Sequence, residues 1–129
     1  MTRKLMLACL LMSIAVFLVG GVALAASFRG TAGPDEISGT KTADTIRGLG
    51  GNDRLSGSGG ADYIYGNGGS DRINGNNGND RIMAADGKRD TIYCGSGKDY
   101  VYADYDRYDP DGTDLVYYNC ETVKIVAPR

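Results

Sequence analysis

The sequence predicts an all-β chain whose strands stack into a parallel β-solenoid, or β-roll. Three observations lead to this fold class. The chain repeats with a period of nine residues, each repeat has one branched aliphatic side chain at its eighth position, and the first half of each repeat is rich in glycine. A short, fixed period of this kind is typical of solenoids, in which each repeat stacks on the next and buries a continuous core.

The period covers most of the chain after residue 29. Units begin at Gly30, Gly39, Gly48, Gly57, Gly66 and Gly75, and the frame resumes at Asp90 and Cys94 after one inserted residue within 84–89. The sixth position of each unit is an aspartate: Asp35, Asp44, Asp53, Asp62, Asp71, Asp80, Asp90 and Asp99. The eighth position is Ile37, Ile46, Leu55, Ile64, Ile73, Ile82, Ile92 and Val101.

Each unit predicts one short strand and one turn. A single apolar residue between polar or aromatic neighbours indicates a very short strand with one side chain turned inward. The glycine-rich half then forms the turn, because glycine adopts positive φ freely and lets the backbone pass close to other groups. Two units make one coil of about 18 residues. Alternate aspartates are therefore expected in two rows, Asp35, Asp53, Asp71 and Asp90 in one and Asp44, Asp62, Asp80 and Asp99 in the other.

These rows predict a bound cation. Carboxylates stacked at the strand spacing of about 4.8 Å repel one another unless a cation lies between them. Calcium suits the gap because it takes about six to eight oxygen ligands and accepts backbone carbonyls as readily as carboxylates. Magnesium fits less well, since it retains its waters and demands octahedral geometry. Soft-metal sites are not expected, because the chain has no histidine.

At these residues the chain resembles the repeats-in-toxin (RTX) family, the hemolysin-type calcium-binding repeats, whose unit is Gly-Gly-x-Gly-x-Asp-x-aliphatic-x. The resemblance spans about residues 30–102. It implies a right-handed parallel β-roll that binds Ca²⁺ between its turns, with the sixth-position aspartates as side-chain ligands and the turn residues as carbonyl donors. The implied metal ligands are Asp35, Asp44, Gly48, Gly50, Gly51, Asp53, Gly57, Gly59, Gly60, Asp62, Gly66, Gly68, Gly69, Asp71, Gly75, Asn77, Gly78, Asp80, Asp90 and Asp99.

Several units depart from the family pattern. The second-position glycine is replaced in four units, by Leu49, Ser58, Asn67 and Asn76. Each replacement keeps its carbonyl as a ligand but restricts the turn. Pro34 stiffens the first unit and Thr42 replaces the fourth-position glycine of the second, so the sites built from Asp35 and Asp44 are less well supported than the central ones. The insertion before Asp90 leaves the geometry of that site open.

Residues 1–26 predict a secretory signal peptide. Arg3 and Lys4 precede an apolar stretch from Leu5 to Leu24, and small residues from Ala23 to Ser27 provide a cleavage site. The apolar stretch is also just long enough to span a bilayer as an uncleaved anchor. The favoured interpretation is a secreted protein, free or associated with the cell surface, that has no membrane span after cleavage.

The mature chain is expected to be acidic and to contain one disulfide. Cleavage removes two of the 14 lysines and arginines and none of the 16 carboxylates, which leaves a net charge near −4. Such a charge suits calcium as a partner and argues against nucleic acid. Cys94 and Cys120 remain, and an even pair in an exported chain is more often a disulfide than two free thiols.

After the roll at 27–102, residues 103–129 predict a C-terminal cap. Leu115–Tyr118 and Thr122–Val126 are expected to be closing strands, and the disulfide would attach them to the last full unit. The acidic segment 104–114 is interpreted as an exposed turn, with a further calcium loop as the alternative. The N-terminal side has no comparable cap, only Ser27, Phe28 and Arg29.

The predicted function is extracellular calcium binding, with folding driven by the ion. One aliphatic side chain per nine residues buries too little surface to offset the chain entropy without metal. An enzyme is not expected, because the aspartates are explained by their spacing and there is no histidine for the usual triads or zinc sites. The alternative is a calcium-rigidified structural or adhesive protein. It would bind glycan or protein through outward Tyr63, Tyr65, Tyr93, Tyr100 and Tyr102 and outward Arg54, Arg72 and Arg81.

Overall fold

The repeated short strands appear as predicted. The computed structural model of the chain describes residues 24–104, 113–117 and 119–126. These residues form strands and no helix, and none of them could therefore supply a membrane-crossing helix. The strands are β1 (Ser27–Arg29), β2 (Glu36–Ser38), β3 (Thr45–Leu49), β4 (Arg54–Ser56), β5 (Tyr63–Asn67), β6 (Arg72–Asn77), β7 (Arg81–Met83), β8 (Thr91–Ser96), β9 (Tyr100–Asp104), β10 (Leu115–Val116) and β11 (Thr122–Val126).

The strands alternate between two parallel sheets, which confirms the predicted β-solenoid. Odd-numbered strands form one sheet in the order β1-β3-β5-β7-β9-β11, and even-numbered strands form the other in the order β10-β8-β6-β4-β2. Each strand pairs with the strand two units away, as Thr45 with Tyr63 and Tyr63 with Arg81. A coil is thus two units long. Side chains alternate between the two faces of a strand, so the eighth-position residue of every unit points inward.

The core is a double column of branched aliphatic side chains. Ile46, Ile64, Ile73, Ile82, Ile92 and Val101 have no exposed surface, and Ile37 and Leu55 are nearly as buried. Near the C-terminal end the first position of the unit is no longer glycine, and Ala84, Cys94 and Ala103 join the core there. The core is one side chain wide on each sheet, so the fold has little apolar surface to bury per residue.

Both ends of the described roll are covered by extra strands. At the N-terminal end β1 pairs with β3, and Phe28 packs against the core although no cap was predicted there. At the C-terminal end β10 pairs with β8 and β11 pairs with β9. The Cys94–Cys120 disulfide, with Cα atoms 5.1 Å apart, attaches this cap to the last full unit as predicted.

Two details of the ends differ from expectation. Strand β10 stops at Val116 rather than at Tyr118, and Tyr118 lies outside the described residues. Strand β9 continues to Asp104, because β11 supplies a hydrogen-bonding partner as far as that residue. Of the predicted signal segment 1–26, all but 24–26 lies outside the described residues, as does 105–112 of the acidic segment.

Candidate metal sites

The predicted aspartates lie in the two expected rows. In one row each aspartate directly precedes a strand of the even-numbered sheet, and in the other a strand of the odd-numbered sheet. Asp53, Asp71 and Asp90 stack on one side of the roll, and Asp62, Asp80 and Asp99 stack on the other. Their side chains are almost completely buried, with at most 3% of their surface exposed. Charged groups this well buried require specific partners.

One oxygen of each carboxylate has such a partner in the preceding coil. Oδ1 of Asp71 accepts a 2.8 Å hydrogen bond from the backbone N–H of Asp53, and Oδ1 of Asp80 accepts one of 2.9 Å from Asp62. The same bond recurs along both rows, so each aspartate is tied to the next coil. These bonds fix the carboxylates in register with the strands.

The rows extend beyond the predicted residues. Asp114 Oδ1 accepts the N–H of Asp90 at 2.8 Å, and Glu121 accepts the N–H of Asp99 at 2.8 Å. The sequence contains a signal for both, since each acid is followed two residues later by a branched aliphatic, Val116 or Val123, as in a full unit. Asp114 is therefore buried in the row, whereas the acidic segment that it ends was predicted to be exposed.

The second oxygen of each carboxylate has no hydrogen-bond partner although it is buried. This holds for Oδ2 of Asp53, Asp62, Asp71, Asp80, Asp90 and Asp99. An unpaired buried carboxylate oxygen costs several kcal/mol, at roughly the scale of an uncompensated charge. Six such atoms in two regular rows indicate positions that a cation would satisfy.

The glycines at the first position keep space open around these oxygens. A Cβ atom added to Gly48 would lie 2.5 Å from Oδ2 of Asp53 and 2.8 Å from the carbonyl oxygen of Gly66 in the next coil. A Cβ on Gly75 would lie 2.5 Å from Oδ2 of Asp80 and 2.5 Å from the carbonyl oxygen of Cys94. A carboxylate oxygen and a carbonyl oxygen of the next coil therefore line the same small space between coils.

The regular turns share one backbone conformation. The second position has positive φ in all of them, including Leu49 at 74°, Ser58 at 73°, Asn67 at 62° and Asn76 at 70°. The fourth position also has positive φ, and it is always glycine there: Gly51, Gly60, Gly69, Gly78 and Gly97. The substitutions of the second position thus preserve the turn, although a leucine in the left-handed region costs about 1–2 kcal/mol.

The first two units are built differently. Oδ2 of Asp35 accepts hydrogen bonds from the N–H of Thr31 at 2.6 Å and from its hydroxyl at 3.0 Å. Oδ2 of Asp44 is satisfied in the same way by Thr40. A threonine at the second position therefore supplies the donors that later units lack. The assignment of Asp35 and Asp44 as metal ligands stays a prediction, and their geometry gives it less support than that of the other six.

The turn with the inserted residue adds side-chain carboxylates. Asp86 and Gly87 donate their N–H groups to Oδ2 of Asp104, and Asp104 in turn donates its N–H to Asp114 at 2.6 Å. Asp90 still has an unpaired Oδ2, although Ala84 replaces the first-position glycine of its turn. This turn thus preserves the row while using a different backbone path.

Burial changes the acidity of the row. It raises the pKa of Asp71 and Asp80 to about 7, that of Asp62 to about 6 and that of Asp90 to about 9. The N–H donated by the preceding aspartate lowers each pKa, and the neighbouring carboxylates of the row raise it further. Binding of a cation would favour the ionised form of these carboxylates and would therefore lower their pKa.

The donor set fits calcium. Within 24–104, 113–117 and 119–126, no three His, Cys, Asp or Glu side chains come together as a metal cluster, so backbone carbonyls must complete any shell. Carboxylate and carbonyl oxygens are hard ligands, and calcium accepts both in flexible geometry. The fold and these residues together define a class: a parallel β-solenoid with candidate cation sites, lined by oxygen atoms alone, between its turns.

Comparison with protein families agrees with this class. The family described as RTX calcium-binding nonapeptide repeat (4 copies) matches residues 29–64, 56–88 and 82–104. Because these segments cover more than half of the 129 residues, the chain belongs to the RTX calcium-binding repeat family, as the resemblance predicted. Comparisons with curated proteins and with solved structures find no match.

The first-position glycines provide a direct test of the sites. A Cβ on Gly57 would overlap Oδ2 of Asp62 and lie 2.6 Å from the carbonyl oxygen of Gly75. We expect Gly57→Ala to lower the free energy of unfolding by about 2–3 kcal/mol in saturating calcium, because neither oxygen can move without leaving its row. Urea unfolding followed by circular dichroism measures the loss.

Gly59→Ala, in the same turn, is the matched control. Its Cβ would meet only atoms of Lys41 at 3.5 Å, which is ordinary contact. We expect this variant to unfold within about 1 kcal/mol of the parent protein. Equal losses for the two variants would show that the space beside Asp62 has no special role.

The raised pKa values predict how the metal-free roll responds to pH. An aspartate whose pKa is raised in the folded state favours folding most below its ordinary value of 3.8. That contribution is lost as the pH rises from about 4 through about 7 for Asp71 and Asp80, and through about 9 for Asp90. We expect calcium-stripped protein to have a higher melting temperature and more β signal at pH 5 than at pH 8. Equal melting temperatures at the two pH values would contradict this prediction.

Proposed function

We propose that the protein is an extracellular calcium-binding module whose β-roll folds when the ions bind. The observation that carries the proposal is the set of six buried Oδ2 atoms without hydrogen-bond partners. They belong to repeats of a calcium-binding family, and those of Asp53, Asp62 and Asp80 lie beside a carbonyl oxygen of the next coil. The cations would be held by Asp53, Asp62, Asp71, Asp80, Asp90 and Asp99 together with turn carbonyls.

A bound calcium ion would supply positive charge to offset the stacked carboxylates, and this chain's own groups would position its ligands. The N–H bonds from coil to coil orient each carboxylate, and the left-handed second and fourth positions shape the turns around it. The first-position glycines leave room for the oxygens to converge. Asparagine at Asn67 and Asn76 supports the turn, because this residue tolerates positive φ better than most.

Folding is proposed to depend on the ion because the remaining interactions are few. The core has one aliphatic side chain per unit, and the buried carboxylates of each row repel one another. Neither the thin core nor the disulfide offsets the chain entropy and this repulsion. Binding energy then becomes folding energy, and the transition in calcium should be steep. Sites of about 10⁻⁴–10⁻³ M are typical of extracellular modules and would suffice.

Export is proposed from the sequence. Strand β1 starts at Ser27, although Ala26, the last residue of the predicted signal peptide 1–26, also hydrogen-bonds to Asp44 and Thr45 of the next coil. The proposed domains are then the roll at 27–102 and the cap at 103–129, which β11 and the disulfide hold to the roll. The intact mass of the exported protein tests this proposal. A mass that includes residues 1–26 would instead favour the uncleaved anchor.

No catalytic activity is proposed. The family's repeats are binding units, and the sixth-position aspartates among the described residues are accounted for by the hydrogen bonds along their rows. A structural or adhesive role is the second candidate, favoured by exposed tyrosine rings with cations beside them on the sheets. In that role calcium would make the roll rigid so that the sheets present a fixed surface.

Removing one charge from a row tests the calcium proposal. Asp62→Asn keeps an oxygen that can accept the N–H of Asp44 but removes the charge at Oδ2. We expect the calcium concentration at the midpoint of folding, followed by far-ultraviolet circular dichroism, to rise by about tenfold. Magnesium should not replace calcium at similar concentrations.

Glu36→Gln is the charge-matched control, because Glu36 is exposed on a strand outside both rows. Its midpoint should stay within about twofold of the parent value. A β spectrum that is present in chelator and does not change with calcium would sink the proposal that the ion drives folding.

A further inference from the structure

The outer surface of the odd-numbered sheet combines exposed aromatic rings with positive charge. Register places Thr45, Tyr63, Arg81 and Tyr100 in one column across neighbouring strands. Arg47 and Tyr65 lie beside them in the next column. We call Arg47, Tyr63, Tyr65, Arg81, Lys98 and Tyr100 the tyrosine-cation face.

This face has no exposed carboxylate. Within the six odd-numbered strands the one acidic residue is Asp104, which is buried and accepts hydrogen bonds from the turn at Asp86. The even-numbered sheet differs, because Glu36 pairs with Arg54 there. Among the described residues, the exposed side chains of the odd-numbered strands thus carry positive charge and no negative charge.

The cations of the face are held in place without being neutralised. The Arg81 guanidinium lies over the ring of Tyr63 at 5.5 Å, and that of Arg47 lies over Tyr65 at 5.1 Å. Among the described residues, neither arginine has a carboxylate partner. A cation-π contact orders a guanidinium but leaves its charge and N–H donors for a ligand.

Part of the face forms a shallow depression. Tyr63 and Tyr100 line it together with Arg81, Lys98, Asn79 and Ala61, and Asp80, whose side chain is buried in its row, lies at its base. The two rings are 43% and 36% exposed, which is high for large side chains on a sheet. Arg81 lies between Tyr63 and Tyr100 in the column, and Lys98 lines the same depression. This combination of aromatic rings and cations suits a ligand that has both an apolar ring face and an anionic group.

Calcium would strengthen this asymmetry. If ions occupy the turns, as proposed above, they offset the carboxylate rows, and the positive charge of the face is no longer opposed from the sides of the roll. The same ions would fix the strand register on which the face depends. The inference therefore rests on the proposed calcium binding.

We propose that the tyrosine-cation face binds an acidic polysaccharide, a linear chain of sugars that carries sulfate or carboxylate groups. Sugar rings would stack on Tyr63 and Tyr100, and the anionic groups would pair with Arg81 and Lys98. Parallel strands repeat every 4.8 Å or so, which gives a flat surface with regular spacing for a linear polymer. An acidic peptide would make little use of two ring faces, and a nucleic acid calls for a denser basic patch than this acidic chain has.

The test uses calcium-saturated protein and fluorescent dextran sulfate, with neutral dextran of the same length as a control. Arg81→Gln with Lys98→Gln removes two charges from the face, and Arg54→Gln with Arg72→Gln removes two from the other sheet. We expect the first pair to weaken binding by about tenfold and the second by no more than about twofold. Tyr100→Leu should weaken binding by about three- to fivefold at unchanged charge.

Circular dichroism of every variant in a calcium titration separates folding from binding. A chain whose spectrum does not respond to calcium would overturn the proposed function, and the face would then be judged by the Arg81 and Lys98 variant alone. Equal losses for the two double variants, failure of the folded parent protein to bind dextran sulfate, or tighter binding of polyglutamate or a single-stranded oligonucleotide would each overturn the polysaccharide proposal.

Discussion

The rest of the structure depends on the buried carboxylate oxygen that each regular turn leaves without a hydrogen-bond donor. In Asp53, Asp62, Asp71, Asp80, Asp90 and Asp99, Oδ1 is hydrogen-bonded to the coil before it, while Oδ2 has no hydrogen-bond partner. Burial of these groups opposes folding, as their raised pKa values indicate. A cation between coils would turn this cost into the main source of stability, because the aliphatic core is narrow.

Backbone conformation is the second constraint, and it explains which residues the repeat tolerates. In the turns that begin at Gly48, Gly57 and Gly75, a first-position side chain would collide with Asp Oδ2, whereas a second-position side chain extends away at the cost of a left-handed φ. Leu49 and Ser58 are therefore accepted at the second position, while every regular turn has glycine at the fourth. Ala84 and Cys94 replace the first-position glycine only at the C-terminal end, where Ala84 precedes an inserted residue.

The two ends of the roll satisfy the rows without a regular turn. Thr31 and Thr40 give hydrogen bonds to Asp35 and Asp44 at the N-terminal end. At the C-terminal end Asp114 and Glu121 accept the last free N–H groups of the rows, and the disulfide holds β11 against β9. Such atypical ends limit further stacking, which is how solenoids avoid growing by association.

The residue pattern alone predicted the solenoid, the pairing of every second unit and the aliphatic core, because a period of nine with one inward side chain allows few other arrangements. The Cys94–Cys120 bond was predicted from a separate observation, an even pair of cysteines in a chain expected to be exported. Only the tertiary structure showed that Thr31 and Thr40 satisfy the first carboxylates and that Asp114 and Glu121 complete the rows. The threonine bonds escaped prediction because they depend on how a side chain folds back within its own turn, and the two acids because they lie outside the regular period of nine. The separation of the odd-numbered sheet as a positive surface also follows from stacking, since residues that meet there are 18 or more apart in the chain.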